Sequence, residues 1–409
     1  MPLPNKKVII LQNSSVFTVD IAKIANPNYW ELHLIVNQKS YACLCKRDQH
    51  GLFKTITILE DFNFDNLKNN IDSLIHHASK ESIVLATNSE SLVSLTGSLR
   101  EFFRIPGLTA DTAKIFSNKV HMKKHLAKFG VSLPNYVSFD RNKYIIFSDN
   151  YIKNICEELS FPIIAKPIDS AGSHGVTKIR DINELRQWAA TIKTNLFELD
   201  EFIDGDLYHC DSLIHKGKII HTAVCRYSCP THKFMQGSNL GSITLSINDP
   251  TYEKLKVFND AILNVISTNF SGVTHLEAFE KSDGQLVFLE VANRGGGAGV
   301  PKMYAKHLNI DLFSTHFILQ CNDNYQIDIH PDHYAAWLQF SPSSNIIGLE
   351  DLPKIESDIS LISKNENINR NSPCTSLRDY TLSIILWNNN FAQLQQDFSM
   401  LSQLRVQVE

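Results

Sequence analysis

Phe161-Pro-Ile-Ile-Ala-Lys166-Pro-Ile-Asp-Ser170-Ala-Gly-Ser-His174-Gly175-Val-Thr-Lys-Ile179 reads as an apolar strand, a small-residue loop and a second apolar strand. Lys166 stands at the end of the first strand, immediately before Pro167. Proline lacks a backbone donor and keeps the residue before it extended, so the strand cannot run on as a helix. The loop from Ser170 to Gly175 is almost free of bulk, and its glycines permit the dihedrals with which successive backbone N–H groups converge on an anion. A lysine at a strand end beside such a loop suits a polyphosphate. An ordinary hairpin with a solvent-exposed lysine fits these residues equally well, and the rest of the chain has to decide.

Upstream, residues 7–12 form a strand that ends at Asn13-Ser14-Ser15, and residues 32–36 and 83–86 are further buried-strand candidates. Residues 65–77 carry Leu67, Ile71, Leu74 and Ile75 at helical spacing. Strands alternating with helices predict a small parallel-sheet α/β domain over residues 1–105. Residues 109–129 then read as a helix carrying Lys119, closed by Gly130 and Pro134. His76-His77 and the pair His121/His125 are read as helix surface, because no third ligand accompanies them.

Downstream, residues 182–192 and 252–270 are expected helices, and 197–203, 207–215 and 218–226 expected strands, the last two joined at Lys216-Gly217. The polar, Gly/Ser-rich stretch 227–243 suits a mobile surface loop. Residues 331–409 are expected to form a mixed β/α tail domain, with a polar loop over 363–376.

Composition excludes some classes. The chain has 409 residues, 43% hydrophobic and 20% charged, with a formal charge of −4, an ordinary globular make-up with no bulk drive toward nucleic acid or anionic membrane. No stretch approaches the roughly 20 apolar residues of a bilayer span, and Val8-Ile-Ile-Leu11 is too short for a secretory leader. The eight cysteines are scattered, closest at Cys43/Cys45 and Cys225/Cys229, and suit reduced packing thiols of a cytoplasmic protein.

The chemistry concentrates near residue 280. Glu277 and Glu290 lie on strands joined by a turn at Asp283-Gly284, so they can stand side by side on one face. Two carboxylates brought together repel unless a cation separates them, and magnesium favours carboxylate oxygen together with phosphate oxygen. Arg294 follows, a residue suited to gripping phosphate, and Gly295-Gly-Gly-Ala-Gly299 lets backbone approach a ligand.

With Asn118-Lys119, the 161–175 stretch, Asp200-Glu-Phe-Ile-Asp-Gly205 and Glu277…Glu290-x-x-x-Arg294-Gly-Gly in that order, residues 105–320 resemble an ATP-grasp enzyme. The resemblance implies an ATP-grasp fold of α/β and α+β character: an N-terminal Rossmann-like domain over 1–105, the ATP-grasp domain over 106–330 and a C-terminal domain over 331–409. It implies ATP between two α+β subdomains, with Lys119 and Lys166 on the phosphates. Ser170, Ser173, His174 and Gly175 would close over the β- and γ-phosphates. The backbone of Glu201, Phe202 and Ile203 would read adenine, with Asp200 beside it. Glu277 and Glu290 would hold Mg²⁺, two ions, with Mn²⁺ as a substitute. Lys166 and Arg294 would be catalytic, Arg294 stabilising the transferring phosphoryl group.

Two positions depart from the family pattern. Leu207 stands where relatives carry a ribose-binding acid, which leaves Asp206 or His209 for that contact. Ala292 stands where relatives often carry a metal-binding Asn, with Asn293 displaced by one. The expected activity is activation of a carboxylate as an acyl phosphate, then attack by an amine, with small-molecule substrates resembling those of amino-acid and dipeptide ligases. Arg226, Arg294 and Gly296 are candidates for the substrate, with His232 and Lys233 nearby. Biotin carboxylase-like chemistry, a thiol acceptor and a non-catalytic ATP-binding module are the alternatives. Relatives are often homodimers.

Overall fold

The structure is a computed structural model that describes residues 6–14, 17, 19–25, 30–76, 78–170, 172–266, 269–322, 326–327, 329–368 and 374–404. Ser15, His77 and Ala171, and part of the stretch 363–376, lie outside the described residues.

Four parallel strands, β1 (Lys6–Gln12), β2 (Trp30–Val36), β3 (Thr55–Ile58) and β4 (Ile83–Ala86), form a sheet in the order β3-β2-β1-β4. Val8 and Ile10 face one core and Ile9 and Leu11 the other, so β1 is buried on both faces, as a central parallel strand must be. Helix Phe64–Ile75 covers one face through Leu67, Ile71 and Ile75. The other face is partly covered from much later in the chain, by Phe317 and Cys321 of helix Leu312–Cys321. The N-terminal unit is thus locked to the rest of the molecule.

A second, antiparallel sheet comprises β5 (Tyr136–Ser138), β6 (Ile163–Pro167), β7 (Thr177–Ile179) and β8 (Phe197–Glu201) in the order β5-β8-β6-β7. Helices Arg141–Glu158 and Ile182–Thr191 back it with Ile152, Ile155, Leu185 and Trp188. The opening stretch is therefore a hairpin, β6 and β7, but its lysine is buried: Lys166 is 5% exposed.

The third sheet has eight strands: β9 (Gly205–His215), β10 (Lys218–Tyr227), β11 (Leu240–Thr244), β12 (Gly272–Lys281), β13 (Leu286–Ala292), β14 (Tyr334–Gln339), β15 (Asp358–Lys364) and β16 (Leu382–Asn388). Their order is β13-β12-β9-β10-β11-β14-β16-β15. Alternation along β9 divides its two faces: Tyr208, Cys210 and Ile214 join the core under helix Pro250–Ile266, while Leu207 and Leu213 face helix Val300–His307.

Three expectations change. The stretch 227–243 holds a 3₁₀ turn, Thr231–Gln236, and then β11, every residue of which is buried. Its Gly and Ser content mimics a loop, but Gly241 is there for close approach, since a Cβ would run into the Trp337 carbonyl oxygen. The helix over 109–129 is two helices, Ala110–Ile115 and Lys119–Ala127, because the Asn118 side chain accepts from His121 N at 2.9 Å and starts a new one. Such a cap is worth about 1 kcal/mol. Finally, the strands after residue 331 extend the eight-stranded sheet through β11, so no break in the sheet accompanies that boundary. No helix among the described residues is long and apolar enough to cross a membrane.

Candidate active site

A cavity of about 1250 Å³ is lined by residues from all three sheets. Its first wall carries lysines. Lys166, at the end of β6, is directly opposite Glu198 of β8 in the antiparallel register, and its ammonium lies 3.4 Å from Glu198 and 2.8 Å from Asp200. Lys119 and Lys123 are one helical turn apart on helix Lys119–Ala127 and so share a face. Lys119 donates to the Ser170 carbonyl at 2.6 Å and lies 3.1 Å from Glu290. Lys123 reaches deeper, 2.5 and 2.6 Å from the two Asp200 oxygens and 3.1 Å from Glu198, fully buried.

Two cations and two anions thus balance beneath this wall. Burial, and then the neighbouring Lys166, pull the Lys123 ammonium below its ordinary value. Burial also works against the Lys166 ammonium, but Asp200 and Glu198 outweigh it and hold Lys166 well above the usual lysine range. For Asp200, burial favours the neutral acid, and Lys166 and Lys123 overcome it, keeping the carboxylate ionised.

The loop after β6 takes left-handed backbone at Gly172, Ser173 and Gly175. Its Ser173 hydroxyl lies 2.8 Å from that of Thr231, and both residues line the cavity. Glu201, Phe202 and Ile203 line the cavity at the end of β8, with the Lys178 ammonium 3.7 Å from the Phe202 ring centre.

The second wall carries acids. Glu277 of β12 and Glu290 of β13 are direct cross-strand partners, and both line the cavity. Burial would raise the Glu290 carboxyl, but Lys119 and Lys166 bring it down to about 2. Glu277 accepts from the Tyr227 hydroxyl at 2.8 Å, and burial together with Glu277 pushes that hydroxyl well above its ordinary value, so it stays a donor. Arg294, four residues after Glu290, is held by Glu90 from the segment after β4, with Nε at 2.7 Å and a terminal nitrogen at 2.5 Å. Paired oxygen donors at a cavity wall, with three cations around them, fit a hard divalent ion carrying phosphate.

Behind Glu277 lies a buried chain of groups. Asp211 accepts from His209 Nδ1 at 2.6 Å, His275 Nδ1 at 3.0 Å and the Tyr304 hydroxyl at 3.0 Å. His275 Nε2 lies 3.4 Å from Glu277. Burial disfavours the His275 cation, but Asp211 and then Glu277 raise it to about 10.

The family described as D-ala D-ala ligase C-terminus matches residues 125–307. Among solved structures, an L-amino acid ligase from Bacillus licheniformis superposes with a TM-score of 0.68 at 14% identity, covering 98% of this chain and 97% of that one. N5-carboxyaminoimidazole synthetase from Staphylococcus aureus, complexed with ADP, gives 0.68 at 14% identity, with 98% of each chain covered. The chain has the ATP-grasp fold. In sequence, it is 26% identical over 256 residues to the L-arginine-specific L-amino acid ligase of Bacillus subtilis, spanning 61% of this chain and 60% of that protein. It is 22% identical over 221 residues to a D-alanine–D-alanine ligase of Acetivibrio thermocellus, spanning 51% and 58%. The chain spans less than two thirds of the length of either relative.

On the ATP-grasp scaffold the cavity gathers Lys119, Lys166, Ser170, Ser173 and His174, then Asp200 through Ile203, and Glu277, Glu290 and Arg294. Six candidates lie elsewhere. His209 is fully buried, with its second nitrogen 2.7 Å from the Ser242 hydroxyl, so neither nitrogen is open to a ribose. Asp206 is turned to the opposite face of β9 by alternation, leaving Leu207 on the cavity wall. Arg226 likewise faces away, paired with Tyr208, while its neighbour Tyr227 faces the acids. Gly296 carries His275 close over its backbone, where a Cβ would lie 3.0 Å from the ring, and donates to Asp211 at 3.4 Å. Gly175 packs on Pro167, where a Cβ would lie 2.9 Å from the ring. Lys233 is exposed outside the cavity, whereas His232 lines it.

The sequence reading missed Lys123, Glu198, Tyr227, Asp211 and His275. A signal existed for some of them. Glu198-x-Asp200 and His209-x-Asp211 have strand spacing, which places each pair on one face.

Proposed function

We propose that this chain is an ADP-forming ligase that activates a carboxylate as an acyl phosphate and joins it to an amine, with amino acids as substrates. The observation that carries this reading is the direct pairing of Glu277 with Glu290 beside Lys119, Lys166 and Arg294 on one cavity. The kinship with a protein named as an L-amino acid ligase supports amino acids as the substrate class.

In this reading Mg-ATP, when bound, supplies the phosphoryl group. Glu277 and Glu290 would hold Mg²⁺, and Mn²⁺ has the same oxygen preference. Lys119 and Lys166 would bring positive charge to the phosphates, and the backbone of Glu201–Ile203, which lines the same cavity, would read adenine. Phosphoryl transfer needs charge neutralisation and in-line placement more than covalent help. Arg294 meets that need at the transferring group, where Glu90 fixes its plane. The loop held by Ser173 and Thr231 excludes water from the activated acyl group.

The test is ADP and phosphate release with Mg-ATP against pooled amino acids, with hydroxylamine present to trap the acyl phosphate. Amino-acid-dependent ADP with hydroxamate supports the ligase. AMP in place of ADP refutes the acyl-phosphate route. ADP formed only with bicarbonate and biotin turns the reading to a carboxylase, and ATP bound but never cleaved turns it to a binding module.

A further inference from the structure

The cavity wall farthest along the large sheet is built by the C-terminal strands. Trp337 and Gln339 alternate onto one face of β14, and Ser383 of β16 is the direct cross-strand partner of Gln339. All three line the cavity, and their exposures are 1%, 5% and 1%. Among the described residues, the indole Nε1, the Gln339 Oε1 and the Ser383 hydroxyl have no hydrogen-bond partner. A buried polar atom left unpaired costs about 1–3 kcal/mol, and three on one patch of one sheet serve no packing purpose. The indole is also fixed in place. Gly299 lies against it so closely that a Cβ there would be 2.5 Å from Trp337.

The chemistry of the patch restricts what it takes. Indole N–H only donates, whereas the carboxamide and the hydroxyl each donate and accept. None of the three is charged. A charged ligand group would meet no countercharge among the three, the cation Arg378 of the same lining being exposed, and an apolar group would leave all three atoms unpaired. Ile362, Leu377 and Tyr380 border it with apolar surface that suits a methylene stem.

We infer that Trp337, Gln339 and Ser383 form a subsite for a neutral, hydrogen-bonding side chain of an amino-acid substrate, a carboxamide above all. This inference rests on the ligase reading proposed above. A carboxamide offers an acceptor to the indole and donors to Gln339 and Ser383.

The experiment measures amino-acid-dependent ADP release for glutamine and asparagine against methionine and leucine of similar size, and against glutamate and aspartate. The wild-type protein is compared with Gln339→Leu and Ser383→Ala. Expected is a preference for the carboxamides over both other sets of about 10²-fold or more in kcat/KM, because a site built to hydrogen-bond a substrate strongly rejects analogues that lack the group. Gln339→Leu should shrink the ratio to methionine or leucine at least tenfold. Ser383→Ala is the smaller change and should shrink it in the same direction, which keeps the test open where Gln339→Leu does not fold. Equal use of carboxamide and apolar amino acids overturns the subsite and leaves the ligase standing, as does an unchanged ratio in both variants. A preference for glutamate or aspartate also overturns it. If no amino acid elicits ADP, the ligase reading fails and the subsite falls with it.

Discussion

Replacing Lys123 by Met tests the charge balance beneath the lysine wall. Methionine keeps the length and apolar stem of lysine and removes only the ammonium. In the native protein that ammonium lies 2.5 and 2.6 Å from Asp200 and 3.1 Å from Glu198, and Lys166 is the other cation in the cluster. After substitution two buried carboxylates share one cation. Leaving a buried charge uncompensated costs about 3–5 kcal/mol, and that is the loss expected at pH 7 by equilibrium unfolding in guanidinium. The dependence on pH has a definite sign. Asp200 is held below its ordinary value by the lysines, so its stabilisation is present above the unfolded carboxyl range and lost only as pH falls through the lowered native value. In Lys123→Met one of the two acids takes up a proton at milder acidity. The deficit against wild type should therefore shrink between pH 7 and 5. Lys123→Met/Glu198→Gln restores one cation to one anion and should recover more than half of the loss. A single variant within about 1 kcal/mol of wild type, or a double variant no more stable than the single, refutes the reasoning.

Arg294→Ala should lower turnover by about 10²–10³, the scale of removing one charge-stabilising donor, and near-normal turnover takes Arg294 out of the chemistry. Glu290→Gln should weaken binding of Mn²⁺ with ADP, followed by electron paramagnetic resonance, at least about tenfold, and unchanged binding would mean that the acid pair does not hold the ion. Alkaline stability should depend on Asp211. The His275 imidazole is raised to about 10, so its contribution is fully present below the unfolded value near 6.5 and is lost as pH rises through 10. Asp211→Asn removes the main source of that shift, so its melting temperature should start below that of wild type at pH 7 and fall less between pH 7 and 10, the gap closing as pH rises. An identical alkaline profile would show that Asp211 does not hold the charge on His275.

What the sequence reveals and what it hides separate along one physical line. Motifs made by local chain geometry are legible: a lysine at a strand end before proline, a small-residue loop, and two acids flanking a tight turn, which the register then sets face to face at Glu277 and Glu290. Partnerships made by strand register across the sheet are not. Arg226 reads as a candidate for the substrate, yet one step of strand alternation puts it beside Tyr208 and gives the cavity Tyr227 instead. His209 stands two positions beyond Leu207 on the cavity-facing parity of β9, but the strand carries it under Glu277, where Asp211 and Ser242 claim its ring. Lys123 is hidden for a different reason. Its spacing from Lys119 on a helix looks like solvated surface until β8 supplies Glu198 and Asp200 as its buried partners.

The same reasoning explains why the far wall of the cavity escapes a reading by composition. Residues 240–244 are Leu-Gly-Ser-Ile-Thr, and Gly and Ser there suggest a turn. In the sheet they are the two residues that can lie flat against β14, where Gly241 pairs with Leu338 and Ser242 with Trp337. Once that strand is misread as loop, nothing joins the C-terminal strands to the acids, and residues 331–409 look like a separate tail. With β11 in place, β14 is drawn into the central sheet, and Trp337 and Gln339 come to the cavity that Glu277 and Glu290 also line. A substitution that β11 cannot absorb, Gly241→Val, should therefore damage more than its own neighbourhood. Its side chain would strike the Trp337 carbonyl oxygen and prise β14 from β11. The expected result is weakened amino-acid selectivity at a nucleotide affinity close to that of wild type, because the lysine wall belongs to a different sheet and the acid-bearing strands β12 and β13 stand at the opposite end of the large sheet from β14. Loss of nucleotide binding in parallel with selectivity, in a variant that still folds, would contradict that division of the cavity.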